Sequence, residues 1–179
     1  MKSLISLLLG AGLALGAMPM AKAENYAQVV SRLGANGSFH SDVEQLLLAK
    51  LNAFRASKGL PRLVADGAFT RAARAHAHDM AQRNYLGHVS ADGLDFSDRM
   101  KALQGGRIGF VAMGENAAMM YPPKSAAAVA ETLFQSWLNS APHLHNMQKP
   151  DFTKVATGVV FLNGKAYADQ IFTSQRLTR

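Results

Sequence analysis

The chain has 179 residues, 49% of them apolar, with a formal charge of +7 and no cysteine. That length suits one domain with one hydrophobic core, and the missing cysteine excludes disulfides, thiol catalysis and a lipid-modified N-terminal cysteine. The basic residues are spread along the chain without a nucleic-acid motif, so no nucleic-acid partner is expected; the charge reads as attraction to anionic envelope material or as a solvated surface.

Met1, Lys2 and Ser3 precede an apolar run from Leu4 to Ala17, followed by Pro19 and the small-residue tripeptide Ala21-Lys22-Ala23. A basic start, an apolar stretch and a small-residue site form the layout of a cleavable secretory signal. The run is shorter than the roughly 20 residues a spanning helix needs, and Gly10, Gly12 and Gly16 interrupt it. Residues 1–23 are therefore assigned as a signal peptide, 24–40 as an N-terminal arm or one short helix, and 41–179 as the domain. Cleavage after Ala23 removes Lys2 and Lys22, leaving 17 basic residues against 12 acidic ones and no transmembrane anchor in the mature chain.

Regular structure is predicted from Ser41, where Ser41 and Glu44 have the spacing of a capping box. Val43, Leu46, Leu47, Leu51 and Phe54 then repeat at helical spacing up to Gly59. Asp66 is the expected cap of a second helix, with Phe69, Ala72, Ala73, His76, Ala77 and Met80 on its apolar stripe. A short helix is expected around Phe96 to Leu103, then a strand from Phe110 to Met119 that puts Met113, Glu115 and Ala117 on one face and Gly114, Asn116 and Ala118 on the other. A third long helix should start near Ser125, carry Trp137, and end close to Ser140 because Pro142 disfavours helical geometry at Ala141, leaving His143 just beyond it. Val155 to Leu162 and Lys165 to Thr173 flank Asn163-Gly164, a strong hairpin signal. The fold class is α+β, with helices covering both faces of a small, largely antiparallel sheet.

Five segments in this order, Leu51-Asn52-Ala53-Phe54-Arg55, Gly87-His88-Val89-Ser90, Gly114-Glu115-Asn116, Trp137-Leu138-Asn139-Ser140-Ala141-Pro142-His143, and Gly158-Val159 with Gln170-Ile171-Phe172, resemble the CAP superfamily (cysteine-rich secretory protein, antigen 5 and pathogenesis-related 1; SCP domain), and especially its cysteine-free bacterial branch. The resemblance spans roughly Leu46 to Thr173. It implies a three-layer α/β/α sandwich with histidines and acidic residues facing a surface cleft that often holds a divalent cation. Carried over by position, the matches are His88, Glu115 and His143. Ser140 departs from the pattern, standing where many animal and plant members have a second glutamate.

His88 and His143 can ligate a metal as neutral imidazoles, zinc above all and weakly, with Glu115 binding through water or orienting one ring. The bland reading of the same residues is a hydrogen-bonded network without metal. Ser140 belongs to the cleft by position, but no Gly-x-Ser-x-Gly elbow makes it a nucleophile. His76 reads as a satisfied, partly buried histidine, His78 as solvated, His145 as a weak alternative ligand, and Asn116 as a partner of backbone. Met113, Met119, Met120 and Met147 are candidates for an adaptable apolar wall. The favoured function is a non-catalytic, exported binding protein taking a cation and, as the resemblance implies, a lipid or other envelope ligand. The alternative is a metal-dependent peptidase or esterase with Glu115 as base, and a third reading is a structural module of the cell envelope.

Overall fold

A computed structural model describes residues 26–33, 39–106 and 109–174, so the assigned signal peptide lies outside the described residues. The elements in chain order are α1 (residues 26–33), α2 (Ser41–Ser57), β1 (Val64–Ala65), α3 (Gly67–Arg83), α4 (Phe96–Leu103), β2 (Met113–Met120), α5 (Ala126–Leu138), α6 (Ala141–Gln148), β3 (Lys154–Leu162) and β4 (Lys165–Thr173). Local chemistry sets most of these boundaries. The Asp66 carboxylate accepts from the backbone N–H of Ala68 and Phe69, Asp95 from Asp98, and Ser125 from Ala128, each supplying acceptors that a helix start lacks. Asn163 and Gly164 both take positive φ, 51° and 72°, as a two-residue hairpin with the right twist requires.

The four strands lie in the order β1-β3-β4-β2, antiparallel except for the two-residue β1, which runs parallel to β3. Alternation along the strands divides the core between two faces. Val155, Val159, Ala168, Phe172 and Ala118 pack against Leu47 and Leu51 of α2, Leu133 and Trp137 of α5, and Met147 of α6. On the opposite face, Ala156 and Ile171 meet Phe69, Ala72 and Ala73 of α3, with Val30 of α1 and Met100 of α4. Ala117, Val160 and Tyr167 meet Ala77 and Met80 of α3 there as well. The chain is thus an α+β, three-layer α/β/α sandwich.

Several local expectations change. The Ser41/Glu44 capping box does not form: His40 is the N-cap of α2 and makes no side-chain cap bond. Glu44 instead takes a two-pronged ion pair from Arg74, at 2.9 and 2.6 Å, and accepts from the backbone N–H of Val159. Beyond β1 the outer edge of β3 has no neighbouring strand among the described residues, only a bridge from Phe39 to Val160, and Glu44, with the His40 N–H that donates to the Val159 carbonyl, covers it. The strand β2 begins at Met113 rather than Phe110. Pro142 does not leave His143 in a loop: it stands in the first turn of α6, where its missing N–H costs nothing. The methionines form no single wall, because Met147 is fully buried under the α2/α5 face, Met120 packs on that cluster, and Met113 packs on the α3 side.

The segment Leu51 to Arg55 is structural. Asn52 both donates to the Leu63 carbonyl and accepts from the Leu63 N–H, replacing a strand partner with an amide side chain. The fully buried Arg55 donates to the carbonyls of Pro61, Met147 and Lys149, tying α2 to the end of α6.

Candidate functional site

His88 lies in the loop between α3 and α4, and three buried or partly buried groups hold that loop by its backbone. His76 Nε2–H donates to the Gly87 carbonyl at 2.8 Å, Arg99 Nη2 to the His88 carbonyl at 3.0 Å, and the Ala91 N–H to Asp79 at 3.1 Å. His143 arrives on α6, which is fixed to β2 by amides. Asn146 donates to the Glu115 carbonyl and to Asn116 Oδ1, while Asn116 Nδ2 donates to the His143 carbonyl. Gly114 gives Asn146 room, since a Cβ there would lie 2.8 Å from Asn146 Oδ1.

These tethers bring His88, Glu115 and His143 together. His88 Nδ1–H donates to Glu115 Oε2 at 2.8 Å, and Arg99 Nη2 contacts both Glu115 oxygens at 2.7 and 2.9 Å. The His88 and His143 ring centroids stand 6.3 Å apart, edge to face. The Glu115 and Arg99 side chains are buried, whereas 52% of the His88 side chain remains exposed. Glu115 therefore acts as an internal anchor, and the half-exposed His88 ring is held to it through Nδ1.

The charges follow from this packing. Burial alone would push the Glu115 carboxyl up, but the His88 hydrogen bond and the Arg99 guanidinium hold it below its ordinary value. The hydrogen bond to Glu115 raises the His88 imidazole, while burial and then the His88 charge lower that of His143. Both Glu115 oxygens are engaged and its side chain is enclosed, so in this arrangement the carboxylate faces His88 and Arg99. Ser140 is the half-buried residue before α6, and its hydroxyl makes no cap bond. His145 is exposed and two positions from His143, a spacing at which helical side chains diverge.

Sequence reasoning missed a deeper layer. His76, Glu115 and Asp169 each present a metal-type ligand atom, and these atoms lie within 4.8 Å of one another, all buried. Fully buried Arg99 borders them, and so does the buried hydroxyl of Tyr26 from α1, which burial pushes up to about 12. The available signal was Asp169 itself, an acid between the apolar residues Ala166 to Ala168 and Ile171 to Phe172 of a hairpin strand. His76 is buried completely rather than partly, and its Nδ1 has no partner among the described residues. Burial, then the Arg99 charge, lowers its imidazole to about 4. Because an unfolded histidine titrates near 6.5, the folded state loses stability as pH falls from 6.5 towards 4, by roughly 3 kcal/mol from this residue. Denaturant melts of wild type and His76→Gln should converge over that range; parallel curves would assign the acid sensitivity elsewhere.

Residues 48–175 match the family described as the cysteine-rich secretory protein family, CAP. The chain belongs to the CAP family. It is 33% identical over 116 residues to the uncharacterized membrane protein YlbC of Bacillus subtilis, covering 65% of this chain and 31% of that protein. It is 31% identical over 120 residues to the uncharacterized protein YkwD of the same organism, covering 67% of this chain and 43% of that one. The CAP chain thus spans less than half the length of these curated relatives. Among solved structures, an extracellular protein containing an SCP domain from Bacillus anthracis aligns with TM-score 0.61 and 28% identity, over 76% of this chain and 41% of that one. An outer surface protein of Borrelia burgdorferi shares the fold at 15% identity, with TM-score 0.65, over 78% of this chain and 99% of that one.

Proposed function

We propose that this CAP domain is an exported binding protein whose cleft takes a divalent cation between His88 and His143, with Glu115 orienting His88 from behind. The observation that carries this reading is the His88 Nδ1–H bond to a buried carboxylate, which directs the unprotonated Nε2 outward, beside a second imidazole. Carboxylate-backed imidazoles are a recurrent way of orienting a metal ligand. Two rings bound to one tetrahedral zinc through nitrogens about 2.0–2.1 Å away have centroids roughly 5 Å apart, so from their 6.3 Å separation the rings would close by about 1 Å on binding. Two protein ligands are fewer than the three that catalytic zinc sites use, which supports weak binding and a non-catalytic role. When bound, the cation would supply Lewis acidity for an oxygen ligand.

Export is supported by the signal-like N-terminal sequence and by the extracellular and outer-surface proteins that share the fold. No helix among the described residues is long and apolar enough to cross a membrane. Leu86 and Val89, 50% and 52% exposed on either side of His88, form an apolar rim that suits a lipid or other envelope ligand beside the cation.

Calorimetric titration of zinc into wild type, His88→Ala and His143→Ala tests the cation. Affinity should fall at least tenfold in each variant, and should rise from pH 6 to pH 8 because His88, raised by Glu115, holds a competing proton. Equal heats in all three proteins would dismiss the assignment.

A further inference from the structure

We propose that Asp169 is a neutral acid that donates its proton to Glu115, making Asp169 a positioning residue for the carboxylate that orients His88. Asp169 is fully buried, and neither of its oxygens has a well-formed hydrogen bond among the described residues, the Gln170 backbone N–H acting on it only as a minor influence. In the β-ladder it lies opposite Gly158 of β3 and Ala117 of β2, so its direct cross-strand neighbours bring no polar side chain. Glu115, two residues along β2 on the same face, brings a carboxylate oxygen within 4.8 Å. An ionised carboxylate can only accept, and two such groups facing each other in a dry interior need a shared proton or a cation between them.

The charged and titratable groups around Asp169 agree. Glu115 faces it from β2, Arg99 from α4, His76 from α3 and Tyr26 from α1. The Arg99 contacts to Glu115 are made through Nη2, while its Nε and Nη1 reach no acceptor among the described residues, Asp169 included. One guanidinium thus balances one carboxylate, and a second negative charge would be uncompensated. Burial, and next the Glu115 charge, push the Asp169 carboxyl well above its ordinary value. His76 is neutral at physiological pH because its imidazole is lowered to about 4, so it offers no cation to Asp169.

Arg99 and the Asp169 O–H thereby hold the Glu115 carboxylate from inside, leaving Oε2 to accept from His88. This inference rests on the reading of His88 as the working imidazole of the cleft but requires no cation, so its test is run on the metal-free full chain.

Asp169→Asn keeps the shape and a donor without the titration. Infrared spectra at pH 7 should show the carbonyl stretch of a protonated carboxylic acid in wild type and not in Asp169→Asn. In stability measurements from pH 4 to pH 7, the folding constant of wild type should lose up to tenfold per pH unit relative to the variant, because the folded state holds a proton that the unfolded state releases. The NMR titration midpoint of His88 should be the same in wild type and Asp169→Asn but move downward in Asp169→Leu, which cannot support Glu115. Absence of the infrared band, a variant that loses rather than gains stability relative to wild type as pH rises, or failure of Asp169→Asn to fold would each overturn the proposal. A wild-type melting temperature that zinc raises and Asp169→Asn abolishes, with His88→Ala retaining it, would also overturn it, by placing an ionised Asp169 on a metal.

Discussion

Replacement of Glu115 by alanine is expected to cost roughly 3–5 kcal/mol, the range for breaking a buried ion pair by removing one partner. The Arg99 side chain is fully buried, and its other nitrogens find no acceptor among the described residues, so the guanidinium would be left charged and unpaired. Arg99 also donates to the His88 carbonyl, and His88 would lose the partner of its Nδ1–H, so the loop should loosen together with the core. With Glu115 absent, a neutral Asp169 has reason to ionise and compensate Arg99, which places the single variant towards the lower end of the range. Adding Asp169→Asn to Glu115→Ala should then cost more than the two changes separately. Urea denaturation at pH 7 measures both. A loss below about 1 kcal/mol for Glu115→Ala would be typical of a surface pair and would contradict its role as anchor. Against a usual total stability of about 5–15 kcal/mol, the expected loss is large.

The second large effect is expected at Gly158. A Cβ there would come 2.2 Å from the Arg74 nitrogen and 2.4 Å from the Ala73 carbonyl carbon, both backbone atoms of α3. A flexible side chain could swing aside, but a helix backbone cannot move without taking its whole apolar face with it. Gly158→Ala should therefore destabilise by about 3 kcal/mol or more, at or beyond the upper end of ordinary overpacking. The consequence reaches the cleft, because α3 carries His76, whose ring holds the Gly87 carbonyl beside His88. Thermal melting should show the loss of stability, and zinc calorimetry on the folded fraction should show weakened binding. A variant as stable as wild type would mean that α3 and β3 do not touch as closely as described.

The sequence by itself determined the local architecture, because the forces behind it act between near neighbours. Asp66, Asp95 and Ser125 cap helices through side chains two or three residues from the N–H groups they satisfy, and Asn163-Gly164 dictates its hairpin through its own backbone. The alternation along β2 fixed which residues share a face with Glu115. Where a local signal failed, a distant partner had displaced it: Glu44 left the capping box for Arg74 and Val159, from other elements.

The family motifs also singled out His88, Glu115 and His143, although nothing in their spacing said that Glu115 would be enclosed and its oxygens already engaged. That depended on Arg99, an ordinary-looking residue of a short helix, and on Tyr26 and Asp169 arriving from opposite ends of the described chain. Gly158 likewise reads as a plain strand glycine until α3 is laid across it. Burial, desolvation and charge balance are properties of the packed interior, created when segments far apart in the chain exclude water together, and so only the tertiary structure could decide them.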